Sequence, residues 1–217
     1  MFPSVLYSGQ FAKKTYAIEA DPVAYATLEY NVGLNHEYEW SSQIHIESIC
    51  ISQPSDAGFM KMQSNTAGNS CSLIGDNVIE ACGLVEHEWK VYCYTLPYVF
   101  AHWNIRLSPE QPIFIKMDIE SYEYDLLPSL YDWLIEVESS ARPTIFVSFH
   151  PQLRECPKEQ LKLILRVFKL FRKVSCHGDK RPLLITNLTA FEEFENMLLV
   201  NECLFSSTYS DFVVSNR

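Results

Sequence analysis

The chain has 217 residues, of which 47% are hydrophobic and 20% are charged, and its formal net charge at pH 7 is −10. This balance is typical of a globular protein and excludes a disordered chain, and the length suits one domain with a sizeable core. A net negative charge repels the phosphates of nucleic acid, so we do not expect nucleic acid as a partner. No apolar run approaches the length of a membrane span, so we expect no membrane segment.

The seven cysteines are widely spaced, and none forms a Cys-x-x-Cys pair. Structural zinc sites use paired thiolates or imidazoles at short spacing, so the sequence predicts no metal site of that kind. We expect mostly buried thiols in a reducing compartment, with the cytosol favoured over secretion. The first ten residues lack the basic segment and apolar core of a signal peptide.

Strand-like and helix-like segments alternate along the chain. In chain order the patterns predict a strand at 15–19, a helix at 22–33, strands at 44–52 and 58–63, a Gly/Ser/Asn-rich loop at 64–72, strands at 89–95 and 112–118, a helix at 122–137, a strand at 143–149, a helix at 158–171, strands at 173–176 and 183–186, a helix at 190–197 and a strand at 212–215. The alternation indicates an α/β fold with a mostly parallel sheet and helices on both faces.

Four polar residues stand at or just past the ends of predicted strands: Glu19, Ser52, Asp118 and His150. In open parallel sheets, ligands bind beside the carboxyl ends of the strands. These four residues are therefore the first candidates for a functional site.

Three sequence segments resemble one enzyme family. Residues 16–22 read Tyr-Ala-Ile-Glu-Ala-Asp-Pro, residues 115–123 read Ile-Lys-Met-Asp-Ile-Glu-Ser-Tyr-Glu, and a loop between them is rich in Asn, Gly and Ser. Together they resemble the FkbM-type S-adenosylmethionine-dependent methyltransferases over roughly residues 11–151. The Lys-Asp-Glu-Glu string of the second segment is the more specific signal, because many nucleotide-binding folds end a strand with an acid.

The resemblance implies a single domain over residues 1–217 with the Rossmann-like sheet of class I methyltransferases, completed by residues 152–217. It also implies that the family's first strand and glycine-rich loop lie upstream of Met1, which would leave the sheet incomplete at its N-terminal side. Ser121 stands where the family usually has glycine. Serine is tolerated at such a position unless the backbone there needs a positive φ.

For the cofactor S-adenosylmethionine, the resemblance implies that Glu19 binds the ribose hydroxyls and that Ile51 and Ser52 form the turn that meets the adenine. Asp21 belongs to the same acidic segment, although Asp followed by Pro22 is also typical of a helix N-cap. Each of these residues has an ordinary structural alternative. Glu19 could interact favourably with the dipole of the following helix, and Ser52 could form hydrogen bonds with backbone groups at a strand end.

Asp118, Glu120 and His150 are the candidates for the reaction centre. Closely spaced carboxylates raise one another's pKa, and they could steady the positive sulfonium, hold a divalent ion or accept a proton. An imidazole at a strand's carboxyl end can act as a general base. The alternatives are that Asp118 caps the following helix and that His150 is a satisfied structural residue. Lys116, inside the strand, is expected to be a snorkelling or ion-paired structural residue.

Asn65, Ser70 and Ser72 could offer amide and hydroxyl partners to a polar acceptor, although loop composition alone would favour a plain turn. The function expected is methyl transfer to an oxygen of a small molecule or glycan. The alternatives are a non-catalytic interaction module with a related fold and a dinucleotide or nucleotide-sugar enzyme, which would need a Gly-x-Gly-x-x-Gly motif that this sequence lacks.

Overall fold

The computed structural model describes residues 2–64, 72–74, 86–150, 156–177, 183–200 and 211–216. The chain divides into two compact units, Met1–Tyr94 and Thr95–Arg217. None of the helices in the described ranges combines the length and the apolar character that crossing a membrane requires.

The first unit contains two small sheets. Its elements are α1 (Phe2–Gly9), β1 (Thr15–Ile18), α2 (Pro22–Leu34), a 3-10 turn (Glu39–Gln43), β2 (Ile44–Glu47), β3 (Cys50–Ile51), a second 3-10 turn (Pro54–Asp56), β4 (Gly58–Ser64), β5 (Ser72–Ile74) and β6 (His87–Tyr94). Strands β1 and β2 pair in parallel. The other sheet has the order β3-β6-β4-β5, in which β3 and β6 are parallel and the remaining pairs are antiparallel.

The core of this second sheet is built around a disulfide between Cys50 and Cys93. These two residues lie opposite each other in the β3–β6 register, and their Cα atoms are 4.4 Å apart, within bridging distance. The expectation of reduced thiols is therefore wrong for this pair, because strand pairing brings together two cysteines that are 43 positions apart. Among the described residues, Cys176 forms no disulfide, and burial raises the pKa of its thiol to about 12.

The second unit contains one five-stranded sheet. Its elements are α3 (Leu96–His102), β7 (Phe114–Met117), α4 (Glu123–Ser129), α5 (Tyr131–Glu136), a 3-10 turn (Ser139–Ala141), β8 (Thr144–Ser148), α6 (Lys158–Phe168), β9 (Lys173–His177), β10 (Leu183–Ile185), α7 (Leu188–Val200) and β11 (Asp211–Ser215). The strand order is β10-β9-β11-β8-β7; β7 and β8 are parallel, and the other pairs are antiparallel.

The predicted single, mostly parallel Rossmann-like sheet is wrong. Strands and helices do alternate, but the strands form three small sheets, two of them mixed. One physical cause is visible at residues 44–52, for which the sequence pattern predicts one strand. The strand breaks after Glu47, so that β2 pairs with β1 whereas β3 pairs with β6. A break of two residues thus distributes the segment over two sheets.

The predicted helix at 122–137 is divided into α4 and α5. Pro128 lies inside α4 and has no amide proton to donate to the Tyr124 carbonyl. That carbonyl instead accepts a hydrogen bond from Gln160 Nε2 of α6. Helix α4 ends at Ser129 and α5 begins at Tyr131, so the helical run is interrupted just after the proline.

Helix α6 packs as its pattern predicts. Its Leu161, Ile164, Leu165 and Phe168 side chains are fully buried. Phe168 contacts Phe212 of β11, whose ring also meets Phe149 and Phe194. This aromatic cluster forms the centre of the second unit's core and supports the strand end at which β8 leads into His150.

Candidate functional site

Polar residues from two neighbouring strand ends meet at one edge of the five-stranded sheet. Asp118 and Glu120 follow β7, and His150 follows β8 by two positions. Strands β7 and β8 are parallel, with Met117 opposite Val147, so both chains leave the sheet at the same edge. The three residues predicted for the reaction centre are therefore brought together, as the rule for the carboxyl ends of parallel strands indicates.

The His150 ring lies among three carboxylates. Its Nε2 is 3.4 Å from Asp118 Oδ1 and 3.9 Å from Glu120 Oε2, and its Nδ1 is 3.2 Å from Glu123 Oε1. The hydrogen bond with Glu123 is the largest cause that raises the pKa of His150, ahead of burial, which lowers it. Because Nδ1–H can donate to Glu123, the ring is held with Nε2 directed towards Asp118 and Glu120.

Glu123 is the member of this cluster that sequence reasoning missed. It lies in the segment that resembles the FkbM-type family, residues 115–123, where its position alone indicates only an acid that interacts favourably with the helix dipole. Its side chain is fully buried, and Oε1 accepts hydrogen bonds from the Ile119 amide at 2.6 Å and from His150. Within the described residues, its other oxygen, Oε2, has no hydrogen-bond partner. Burying a carboxylate oxygen without a hydrogen-bond partner is costly, which indicates that this site can bind a ligand or an ion.

Asp118 does not cap the following helix. Its Oδ2 pairs with Lys116 Nζ at 2.5 Å, and its Oδ1 faces His150. Helix α4 begins after Tyr122, which provides no side-chain cap. The capping alternative for Asp118 is therefore excluded, and the interpretation of Lys116 as an ion-paired residue is confirmed.

Glu120 and Ser121 both have backbone conformations that are rare for residues with a side chain. Their φ angles are +52° and +81°. Burial raises the pKa of Glu120, while the nearby His150 acts in the opposite direction. The condition under which serine would be unfavourable in place of glycine is therefore met at Ser121, since its φ is positive.

We expect Ser121→Gly to raise the free energy of unfolding by roughly 1 kcal/mol. Glycine adopts a left-handed conformation without the cost of about 1–2 kcal/mol that an L-residue incurs. Part of this gain is offset, because an unfolded chain with glycine has more conformational entropy. Urea unfolding measures the change.

Two matched variants separate strain from other effects. Ser121→Ala keeps the Cβ and should bring no gain. Asn104→Gly changes a residue that has a φ of +54° but tolerates this region, so it should shift stability by less than Ser121→Gly. A loss of stability in Ser121→Gly would contradict the assignment of strain to this residue.

The predicted cofactor residues lie in the first unit. Glu19 follows β1, its Oε1 accepts the Asp21 amide at 2.9 Å, and burial raises its pKa. Asp21 is buried and caps α2, since its Oδ1 accepts the amides of Val23 at 2.8 Å and Ala24 at 3.2 Å. The capping role anticipated for Asp21 is confirmed, because both hydrogen bonds stabilise the start of α2.

Ile51 ends β3, and Ser52 follows it. Ala20, the residue after Glu19, packs against the core cluster that contains Cys50, which links the chain after β1 to the sheet that contains β3. The Ser52 amide donates to the Tyr94 carbonyl at 2.9 Å, and its hydroxyl is buried without a hydrogen-bond partner in the described ranges. The backbone of Ser52 thus has a structural partner, whereas its side chain is left with an unused polar atom.

Two of the three predicted substrate-binding residues, Asn65 and Ser70, lie outside the described residues. The third, Ser72, is not in a loop but begins β5, where it pairs with Ser64 of β4. The expectation of a loop is therefore wrong at Ser72, because the backbone there continues the antiparallel sheet.

Comparison with known proteins adds no relative. No protein-family model matches the chain, and neither curated proteins nor solved structures give a match. Function must consequently be inferred from the sites themselves.

Proposed function

We propose that the chain is an S-adenosylmethionine-dependent methyltransferase acting on an oxygen of a small molecule or glycan. The observation that carries the proposal is the convergence of Asp118, Glu120 and His150 at the ends of two adjacent parallel strands. The resemblance of residues 115–123 to the FkbM-type segment supports it, since Asp118 and Glu120 belong to both the motif and the cluster.

The residues that end β1 and β3 fit an adenosyl group. The Glu19 carboxylate is anchored by the Asp21 amide and can accept hydrogen bonds from ribose hydroxyls, and the buried Ser52 hydroxyl can pair with a polar edge such as that of adenine. When bound, S-adenosylmethionine supplies an electrophilic methyl group on a sulfonium sulfur. Among the described residues Ser52 Oγ has no hydrogen-bond partner, and this is the structural feature that favours a ligand there.

An acceptor hydroxyl must lose its proton as it is methylated, and two groups can take it. Glu120 Oε2 and His150 Nε2 are 3.9 Å apart, and both side chains remain partly exposed, at 18% and 15%. Asp118 adds negative charge beside them, which favours a positive sulfonium or a protonated base. The cluster therefore combines proton acceptance with electrostatic stabilisation.

Calorimetric titration of S-adenosylhomocysteine tests the proposal. We expect the wild-type chain to bind and Glu19→Gln to bind about tenfold or more weakly, because a hydrogen bond to a charged group contributes roughly 1.5–3 kcal/mol. Glu29→Gln, at an exposed position of α2, should bind as the wild type does. Absence of binding by the folded wild-type chain would reject the proposal.

A non-catalytic interaction module is the second candidate. The observation that favours it is an exposed aromatic pair on the β4–β6 sheet: Phe59 is 67% exposed, Tyr92 is 40% exposed, and their rings are 4.7 Å apart. Lys90 lies over the Phe59 ring. Exposed aromatic side chains are enriched at protein interfaces. This function predicts that S-adenosylhomocysteine does not bind in the same calorimetric titration.

A further inference from the structure

We infer that Asp118, Glu123 and His150 form a binding site for a divalent metal ion of the Mn²⁺ type. Ion binding can be measured without any methyl transfer, and only the role of the ion in catalysis rests on the proposed function. The sequence alone indicates the Asp118–Glu120 pair as carboxylates that could hold an ion. This set of ligands differs from that pair, because it joins two strand ends and a helix.

The donor atoms suit such an ion. One imidazole nitrogen and two carboxylate oxygens lie within 4.8 Å of one another. An ion that replaces the proton on His150 Nδ1 can contact all three residues after small side-chain movements. Metal–ligand distances of about 2 Å place ligand atoms about 3 Å apart, and Nδ1 lies 3.2 Å from Glu123 Oε1. Carboxylates suit Mg²⁺ and Mn²⁺, and imidazole adds a preference for transition ions.

The second, independent observation is the orphaned oxygen of Glu123. The side chain is 0% exposed, and among the described residues Oε2 has no partner, although Oε1 accepts two hydrogen bonds. Positioning His150 requires only Oε1, so that role does not explain why Oε2 has no hydrogen-bond partner among the described residues. A cation would satisfy it and would offset the cost of burying the charge.

The charge of the cluster also favours a cation. Three carboxylates, those of Asp118, Glu120 and Glu123, surround His150, and Lys116 provides one positive charge. With a neutral imidazole the group carries a formal charge of about −2, which one divalent ion would balance. Lys116 engages Asp118 Oδ2, whereas Oδ1 faces the imidazole, so the lysine and the ion can share this carboxylate.

Within the proposed reaction, the ion would distinguish the two candidate proton acceptors. If His150 is a metal ligand, its nitrogen is occupied by the ion, and Glu120 is left to accept the proton. The ion would bind the acceptor oxygen, which makes its hydroxyl more acidic and orients it. A hydroxyl beside another oxygen donor, as in a catechol or a sugar diol, matches this chemistry, because two oxygens can contact one ion.

Titration of Mn²⁺ into the full chain without cofactor tests the inference, with the electron paramagnetic resonance signal of free Mn²⁺ as the readout. We expect one ion per chain, and we expect Asp118→Asn and His150→Ala each to weaken binding by about tenfold or more. Removing Glu123 would leave the Ile119 amide unpaired and could unfold the protein, so the test uses the other two ligands.

Two further variants make the result specific. His102→Ala replaces an exposed histidine of α3 and should leave Mn²⁺ binding unchanged. Lys116→Gln removes the positive charge that lies 2.5 Å from Asp118 Oδ2, which repels the ion, and should tighten binding. Failure of the folded wild-type chain to lower the free Mn²⁺ signal, or equal binding by the wild type, Asp118→Asn and His150→Ala, would overturn the inference, whatever the titration of S-adenosylhomocysteine shows.

Discussion

Phe212→Ala is expected to lower the free energy of unfolding of the second unit by about 3–5 kcal/mol. The Phe212 side chain is fully buried, and its ring lies 5.3 Å from that of Phe168, 5.8 Å from that of Phe149 and 6.3 Å from that of Phe194. Alanine would remove the ring and leave a cavity among three other rings that are held by different elements. Such a site cannot collapse easily, so the cost should be near the upper end of this range.

Urea unfolding is monitored with a spectroscopic probe in the second unit, and the loss of stability is measured as a lower transition midpoint. Leu184→Ala is the matched control, because Leu184 lies in the same sheet but is 62% exposed; it should change stability by no more than about 0.5 kcal/mol. Phe212→Leu leaves a smaller cavity and should fall between the two. If Phe212→Ala and Leu184→Ala cost the same, the aromatic cluster is not the core of this unit.

Local patterns in the sequence predict what local chemistry determines. The helical spacing of Leu161, Ile164 and Leu165 indicates which face of α6 is buried, and Asp21 before Pro22 identifies the start of α2. The positions of Asp118 and His150 at strand ends follow from the strand boundaries alone. Each of these predictions depends on residues that are close along the chain.

Features that depend on pairing between distant segments are not predictable in this way. The opposition of Cys50 and Cys93 arises only once β3 lies beside β6, and the periodicity of either strand contains no information about its neighbour. The division of residues 44–52 between two sheets has the same origin. The predicted class of sheet is wrong for this reason, although the strand segments themselves follow from local patterns.

The role of Glu123 cannot be read from its own segment. An acid in the first turn of a helix is ordinarily explained by the helix dipole. Its contact with His150 joins positions that are 27 residues apart, and its burial depends on the packing of α4. The signal that could have identified it is the string of acids after one strand together with a histidine after the next, since adjacent parallel strands bring their ends together.

Glu120→Gln is expected to slow methyl transfer by about 10²–10⁴-fold, the usual contribution of a general base. Glutamine keeps the size of the side chain and can accept a hydrogen bond, but it cannot take up a proton at neutral pH. The affinity for S-adenosylhomocysteine should remain unchanged, because Glu120 contacts the acceptor in the proposed reaction. The measurement is the transfer of labelled methyl from S-adenosylmethionine to an acceptor on which the wild-type chain is active.

The control for this variant is Glu136→Gln, an exposed carboxylate of α5 that should have wild-type activity. The comparison also decides between the two candidate proton acceptors. A large loss in Glu120→Gln together with weaker Mn²⁺ binding in His150→Ala would place the proton on Glu120 and the ion on His150. Full activity in Glu120→Gln, with activity lost in His150→Ala, would instead assign the proton to the imidazole and contradict the role of Glu120 as the general base.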